Sequence, residues 1–284
     1  MKTGLIMEGG AMRGMFTCGI IDVFLENGVN FDGAIGVSAG AVFGCNFKSR
    51  QIGRPIRYNQ NYCREWRYCS VRSLILTGDL FGVNFCYHEL PSILDPFDSD
   101  SFRENPMAFY IAATDVRTGE AEYHLCSDGK EGDLEWMKAS ASMPLVSRIV
   151  ETEGMKLLDG GISDPIPYSY MEKHGYDRNV MILTQPKGYY KKRFKMMKVI
   201  HTRYKQYPKL VNAMEQRHIV YNRQMAEIRE REQKGTAIVI RPPEALGIGH
   251  ISHDPGELER VYQIGRVEAE RRLPEIRAFL KAEN

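Results

Sequence analysis

A serine stands between two glycines at Gly36-Val37-Ser38-Ala39-Gly40, directly after the apolar run of residues 34–37 and directly before an Ala/Val/Phe-rich segment. This is G-x-S-x-G spacing at a strand-to-helix junction, and it suits a nucleophile. A reactive hydroxyl raised on so sharp a turn needs neighbours without bulk, and glycine relieves the crowding while tolerating unusual backbone angles. The start of the following helix would supply free N–H groups and a partial positive charge for an anion forming on a substrate. A plain strand-to-helix turn uses the same residues, so the five-residue pattern needs company before it means catalysis.

Two further turns supply it. Gly9-Gly10-Ala11-Met12-Arg13-Gly14 follows a short apolar strand. It lacks the G-x-G-x-x-G order of a dinucleotide fingerprint and the terminal Gly-Lys-Ser/Thr of a phosphate loop. As an oxyanion hole it fits: consecutive small residues after a strand can aim backbone N–H groups at one point, with Arg13 anchoring the loop or adding positive potential. The bland alternative is a tight turn with a surface arginine. Far downstream, Asp159-Gly160-Gly161 ends another apolar run. An aspartate there can simply satisfy the donors of its own turn, or it can deliver a carboxylate next to another group.

The elements that must position these turns follow from the periodicity. Residues 3–7 read as a strand, and apolar residues recur at helical spacing from Phe16 to Phe24 before the stop at Asn27-Gly28. Residues 1–38 then form a right-handed βαβ unit with both glycine turns on the carboxyl edge of a parallel sheet, the edge where open α/β sheets place their crevices. Further on, a helix is expected after Pro55, an apolar loop over 73–83, and a hairpin of strands 108–114 and 120–125 around Arg117-Thr118-Gly119. A short helix over 134–141, a strand over 155–158 and a final core strand over 180–184 complete this part. Beyond it lie a long charged helix over 211–233, a β-branched strand over 236–240 suited to the sheet edge, and a closing amphipathic helix over 256–282.

With 284 residues, 43% hydrophobic and 26% charged, the chain is long enough to bury a substantial core as one α/β domain with an appendage. A net charge of +2 gives no reason to expect nucleic acid as a partner. The first eight residues hold too short an apolar run for a signal peptide, and the six cysteines are scattered without a C-x-x-C pair. Reduced thiols in a cytoplasmic protein are expected, with no disulfide framework, metal or cofactor. One local cluster stands out: residues 187–198 mix Lys and Arg with Tyr, Phe and Met. It suits a solvated helix face, or peripheral contact with an anionic membrane surface.

The three turns in this order resemble the patatin-like phospholipases. The resemblance covers residues 1–185, with a mainly helical extension over 186–284 of the kind carried by bacterial members. It implies a three-layer α/β fold with a mostly parallel central sheet, and hydrolysis of lipid or other acyl esters through a Ser-Asp dyad without a cofactor. Ser38 would be the nucleophile, Asp159 its base, and Gly9, Gly10, Ala11, Met12, Arg13 and Gly14 the oxyanion loop, with Gly36 and Gly40 flanking the elbow. Ala11 departs from the pattern, since the family usually has a third glycine there. A Ser-His-Asp triad using His250 or His253, and a lipid-binding module with weakened activity, are the competing readings; a triad-bearing α/β-hydrolase needs several strands ahead of its elbow, whereas here only one precedes Ser38.

Overall fold

The structure, a computed structural model, describes residues 1–281. One eight-stranded sheet organises them, in the order β5-β6-β3-β2-β1-β7-β8, with β4 paired to β3 away from this path. β1 (Lys2–Met7) lies between β2 (Gly33–Val37) and β7 (Tyr176–Ile182), parallel to both. β3 (Ala108–Asp115) continues the parallel set beside β2, and β8 (Ala237–Ile240) extends it beyond β7. β4 (Ala121–Leu125), β5 (Val150–Thr152) and β6 (Met155–Asp159) are antiparallel to their neighbours.

The sequence of β1 and β2 explains their place. Both are near-continuous apolar runs, as strands covered on two faces must be. Side chains alternate between faces: Leu5, Met7 and Ala34 enter one core cluster, whereas Ile6 and Ile35 enter the other. The first cluster is closed by α1 (Gly14–Glu26), α2 (Ala39–Lys48), α3 (Arg54–Tyr62) and α10 (Pro255–Lys281). The second is closed by α7 (Tyr168–Lys173) and by α9 (Pro208–Gln233), which contributes Tyr221 and Ile228. The result is a three-layer α/β sandwich.

Two expectations need correction. Residues 73–77 of the expected loop belong instead to a helix, α4 (Val71–Thr77), whose start is capped where the Ser70 hydroxyl accepts from Ser73 N–H at 2.9 Å. Within the apolar stretch beyond it Leu80 is buried, while Ile75 and Leu76 are exposed. The basic run of 187–196 is not a helix face either; regular helix resumes only at α8 (Met197–Arg203). β5 and a π-helical turn over Phe85–Leu94 carried no periodic signal long enough to read. α5 (Ser99–Glu104) and α6 (Glu131–Ser140) complete the helices, and residue 282 of the expected closing helix lies outside the described residues.

Candidate active site

Strand register brings the distant turns to one level. Val37 pairs with Ala112 of β3, and Ala113 pairs with Asp159 of β6. Ser38 and Asp159 therefore flank the same short piece of β3, one from each side. β6 is antiparallel, but it stops at the height where the parallel strands end.

Ser38 sits at φ 55° and ψ −122°, immediately before α2. That is a costly backbone for a residue with a Cβ, held only where surroundings enforce it. Here they do: Ser38 N–H donates to Ser140 Oγ at 2.8 Å, and Ser140 Oγ donates onward to the Ala112 carbonyl at 2.6 Å. A Cβ at Gly40 would stand 2.2 Å from the Met7 carbonyl, and one at Gly36 would stand 2.4 Å from the Gly40 carbonyl. Close approach of α2 to the strands is thus why both elbow glycines lack side chains.

Asp159 is buried, with 5% of its surface exposed. Its backbone N–H donates to the Ser142 carbonyl at 2.9 Å, and its Oδ1 accepts from Gly161 N–H at 2.7 Å. Burial raises the carboxyl above the ordinary aspartate value; the positive charge of Arg217, the adjacent Ser38 hydroxyl, the Gly161 N–H and Lys191 pull the other way without cancelling it. A buried carboxylate with a raised pKa is a better proton acceptor than a solvated one. The end of α6 and the turn after it touch both Ser38 and Asp159, through the Ser140 side chain and the Ser142 carbonyl.

The glycine turn closes over them. A Cβ at Gly9 would meet Ser38 Cβ at 2.8 Å. Gly9, Gly10, Ala11 and Arg13 line a cavity of about 510 Å³ together with Ser38 and Asp159. Met12 and Gly14 lie behind that wall, Met12 in the core and Gly14 against Phe43 at the start of α1. Glu8 ties the loop down: its carboxylate accepts from Thr184 N–H at 2.6 Å, and Thr184 Oγ1 donates to the Gly9 carbonyl at 2.9 Å. Ala11 has φ 49°, a left-handed backbone that costs a non-glycine residue about 1 kcal/mol. The departure from glycine therefore falls where glycine would be at ease. Much of the remaining wall is apolar, including Leu80, Met143, Val146, Phe194 and Met214.

Two cavity residues were invisible to sequence reasoning. Lys191, part of the basic run, turns inward, with its backbone N–H and carbonyl clamped by Asn222 at 2.9 and 3.0 Å and its ammonium 4.1 Å from the Tyr221 ring centroid. Desolvation first, and then Arg217, lower its pKa to about 8. Arg217 reaches in from α9 and donates from Nε to the Gly161 carbonyl at 2.6 Å. Nothing in a charged helix of this kind marks one arginine as special. Lys192, Lys195 and Lys198 face solvent, and Arg193 pairs with Glu215 at 3.1 Å.

Of the two histidines suited to a triad, His250 lines the cavity mouth, while His253 is engaged with the Cys63 carbonyl. His124, Cys126 and Asp133 lie close enough together to hold a cation. The Asp133 carboxylate, however, already accepts from the N–H groups of Ser127, Asp128 and Gly129 and faces His124 at 2.7 Å, which accounts for it as a loop clamp. The six cysteines are free, and no helix among the described residues is long and apolar enough to cross a membrane.

Comparison with known proteins bears on the family and the fold. The model of the patatin-like phospholipases matches residues 5–171, and a domain of unknown function, DUF6363, matches residues 207–281. The uncharacterized protein YjjU of Escherichia coli K12 is 29% identical over 194 residues, covering 66% of this chain and 54% of that protein. Lysophospholipase NTE1 of Chaetomium globosum is 26% identical, and lysophospholipase nte1 of Aspergillus niger 28%, each over 62% of this chain and 11% of the relative. The chain thus spans about half the length of the first relative and about a tenth of the others. Among solved structures, VipD from Legionella pneumophila aligns over 96% of this chain and 67% of its own, at 14% identity and a TM-score of 0.49. With more than half of its length matched by the one family model, and with a mostly parallel three-layer sheet carrying a helical C-terminal region, the chain belongs to the patatin-like phospholipase family.

Proposed function

We propose that the protein is a serine acyl-ester hydrolase acting on lipid or lysolipid esters in the cytoplasm, with Ser38 and Asp159 as a dyad. The observation that carries this reading is the convergence of a serine on an enforced, strained turn, a buried aspartate of raised pKa and a glycine loop on one cavity. Ser38 Oγ bonds to the ester carbonyl carbon while its proton passes to Asp159. Negative charge on the carbonyl oxygen is met by N–H groups of the Gly9–Gly14 loop. Collapse of that adduct breaks the ester C–O bond, and the departing alcohol takes the proton from Asp159. Water, deprotonated in turn by Asp159, then hydrolyses the acyl-enzyme. The division into a hydrolase unit over 1–185 and an extension over 186–284 belongs to this proposal, as does the lipid nature of the substrate, which the mainly apolar cavity wall suits.

A triad has one observation in its favour, the presence of His250 at the cavity mouth. Against it, strand register sets Ser38 and Asp159 on either side of the same piece of β3, and the Ser38 hydroxyl is among the groups that favour the ionised Asp159 carboxyl. A fluorophosphonate probe tests the assignment: it labels the wild-type protein at Ser38, and Ser38→Ala is neither labelled nor active on a short-chain ester. Labelling at another residue with turnover intact would refute the role of Ser38.

A further inference from the structure

Arg13, Lys191 and Arg217 face the cavity from three separate parts of the chain. Their positions relative to the dyad are defined by the two glycine turns. A Cβ built on Gly10 would meet an Arg13 terminal nitrogen at 3.2 Å, and one on Gly161 would meet Asp159 Oδ1 at 3.0 Å and an Arg217 terminal nitrogen at 3.5 Å. One guanidinium therefore overlies the glycine loop and the other overlies the turn after the aspartate, with Ser38 between those turns. Lys191 feels both guanidinium groups.

Among the described residues none of these three cations forms a salt bridge, although carboxylates take up arginines over much of the surface. Arg13 Nε is buried without a hydrogen-bond partner. The carboxylates that share the cavity wall, Glu8 and Asp159, accept from Thr184 N–H and Gly161 N–H and both act on Lys191 through their charge, without forming an ion pair with any of the three cations. Three cations against two carboxylates, in a mainly apolar cavity, leave an excess of one positive charge on its wall. Two of the three come from beyond residue 185, which gives that region a direct part in the site.

We propose that Arg13, Lys191 and Arg217 form an anion subsite, and that the preferred substrate is an acyl ester whose headgroup is net anionic, carrying a phosphate monoester beside the scissile ester. The assignment rests on the hydrolase reading above and refines it. A zwitterionic choline headgroup suits the cavity less well, because its quaternary ammonium would enter among the three cations. Neutral glycerol esters leave all three cations unmatched.

The test uses three decanoyl esters, each below its micelle concentration: monodecanoylglycerol, its glycerophosphocholine counterpart and its glycerol phosphate counterpart. The wild-type protein hydrolyses the glycerol phosphate ester with kcat/KM about tenfold or more above the other two, the worth of one charge-assisted hydrogen bond. Lys191→Gln lowers that ratio about fivefold or more. Arg217→Gln lowers it too, but Arg217 also holds the Gly161 carbonyl, so Lys191 carries the decision. Octyl phosphate inhibits the wild-type protein at least about tenfold more strongly than inorganic phosphate, because the tail enters the apolar cavity. Equal kcat/KM for all three esters, or a ratio untouched by Lys191→Gln, overturns the subsite while leaving the hydrolase reading intact. Equal inhibition by octyl phosphate and inorganic phosphate overturns the headgroup assignment. Should no ester be turned over, the hydrolase reading fails and calorimetry decides the subsite: tighter binding of octyl phosphate than of octylphosphocholine, lost in Lys191→Gln, upholds it, and equal binding rejects it.

Discussion

Ser140→Ala removes one oxygen that no sequence pattern marks, and the structure assigns it a large effect. Ser140 is fully buried, and its hydroxyl joins Ser38 N–H to the Ala112 carbonyl. Two hydrogen bonds are lost, each with a net worth of about 1 kcal/mol, and the Ser38 N–H is left buried without an acceptor at a further 1 kcal/mol or so. Stability should fall by about 2–4 kcal/mol, read as a lower urea midpoint at unchanged m-value. Catalysis should suffer as well, because the bond to Ser140 helps enforce the φ 55° turn that presents the hydroxyl. A nucleophile displaced by a fraction of an ångström costs about tenfold or more in kcat, with little change in KM for a short soluble ester. Ser142→Ala is the control: its hydroxyl reaches only the Lys138 carbonyl within the helix end, and the backbone carbonyl that holds Asp159 N–H survives the change. That variant should lose no more than about 1 kcal/mol and keep most of its turnover. A Ser140→Ala protein within about 0.5 kcal/mol of wild type, with full kcat, would refute the reasoning.

Three other outcomes follow from the same geometry. His250→Gln should lower short-ester turnover by less than about tenfold, whereas a triad histidine costs several orders of magnitude; a thousandfold loss in a folded variant would overturn the dyad. Because burial raises the Asp159 carboxyl, and because the proposed dyad needs it ionised to accept the Ser38 proton, the acid limb of kcat/KM should lie above the ordinary aspartate range. Lys191→Gln removes a charge that favours the ionised form and should move that limb to still higher pH; a shift to lower pH would contradict this electrostatic account. Gly265→Ala should destabilise by about 1–3 kcal/mol despite the better helix propensity of alanine, since its Cβ would stand 2.1 Å from the Phe16 carbonyl of α1; urea unfolding that shows a gain would rule out the close helix crossing.

Legibility in the sequence followed local determinism. β1, α1, β2 and the elbow could be read because apolar period, glycine stops and chain order all agree there, and the structure keeps these elements adjacent in the sheet. The hairpin of β3 and β4 was equally plain from Arg117-Thr118-Gly119. α4 was missed because seven residues hold less than two helical turns of pattern, and Ser70 was not weighed as a cap. Ser140 and Arg217 escaped for a different reason. Their roles come from partners 102 and 56 positions away, and a serine at a helix end or an arginine in a charged helix looks the same with or without such a partner.

In residues 186–284 the helix over 211–233, the edge strand over 236–240 and the closing helix from 256 were read close to the bounds of α9, β8 and α10, whereas the way they pack on the rest was not legible. Strand β8 pairs along β7, so without it four residues of a core strand would present unpaired backbone groups at a sheet edge. On the opposite face α10 crosses α1 where Gly19 and Gly265 allow backbone to approach backbone; a Cβ at Gly19 would stand 2.1 Å from the Tyr262 carbonyl. α1 begins at Gly14, the last residue of the glycine loop, so the packing of α10 bears on the helix that follows this loop. α9, on the other layer, fixes Gly161 through Arg217 and the Lys191 backbone through Asn222. The two long C-terminal helices therefore brace the two sides of the cavity from opposite faces of the sheet. A sequence change in either can reach Ser38 and Asp159, the proposed dyad, through packing alone, without touching a residue of the three motifs.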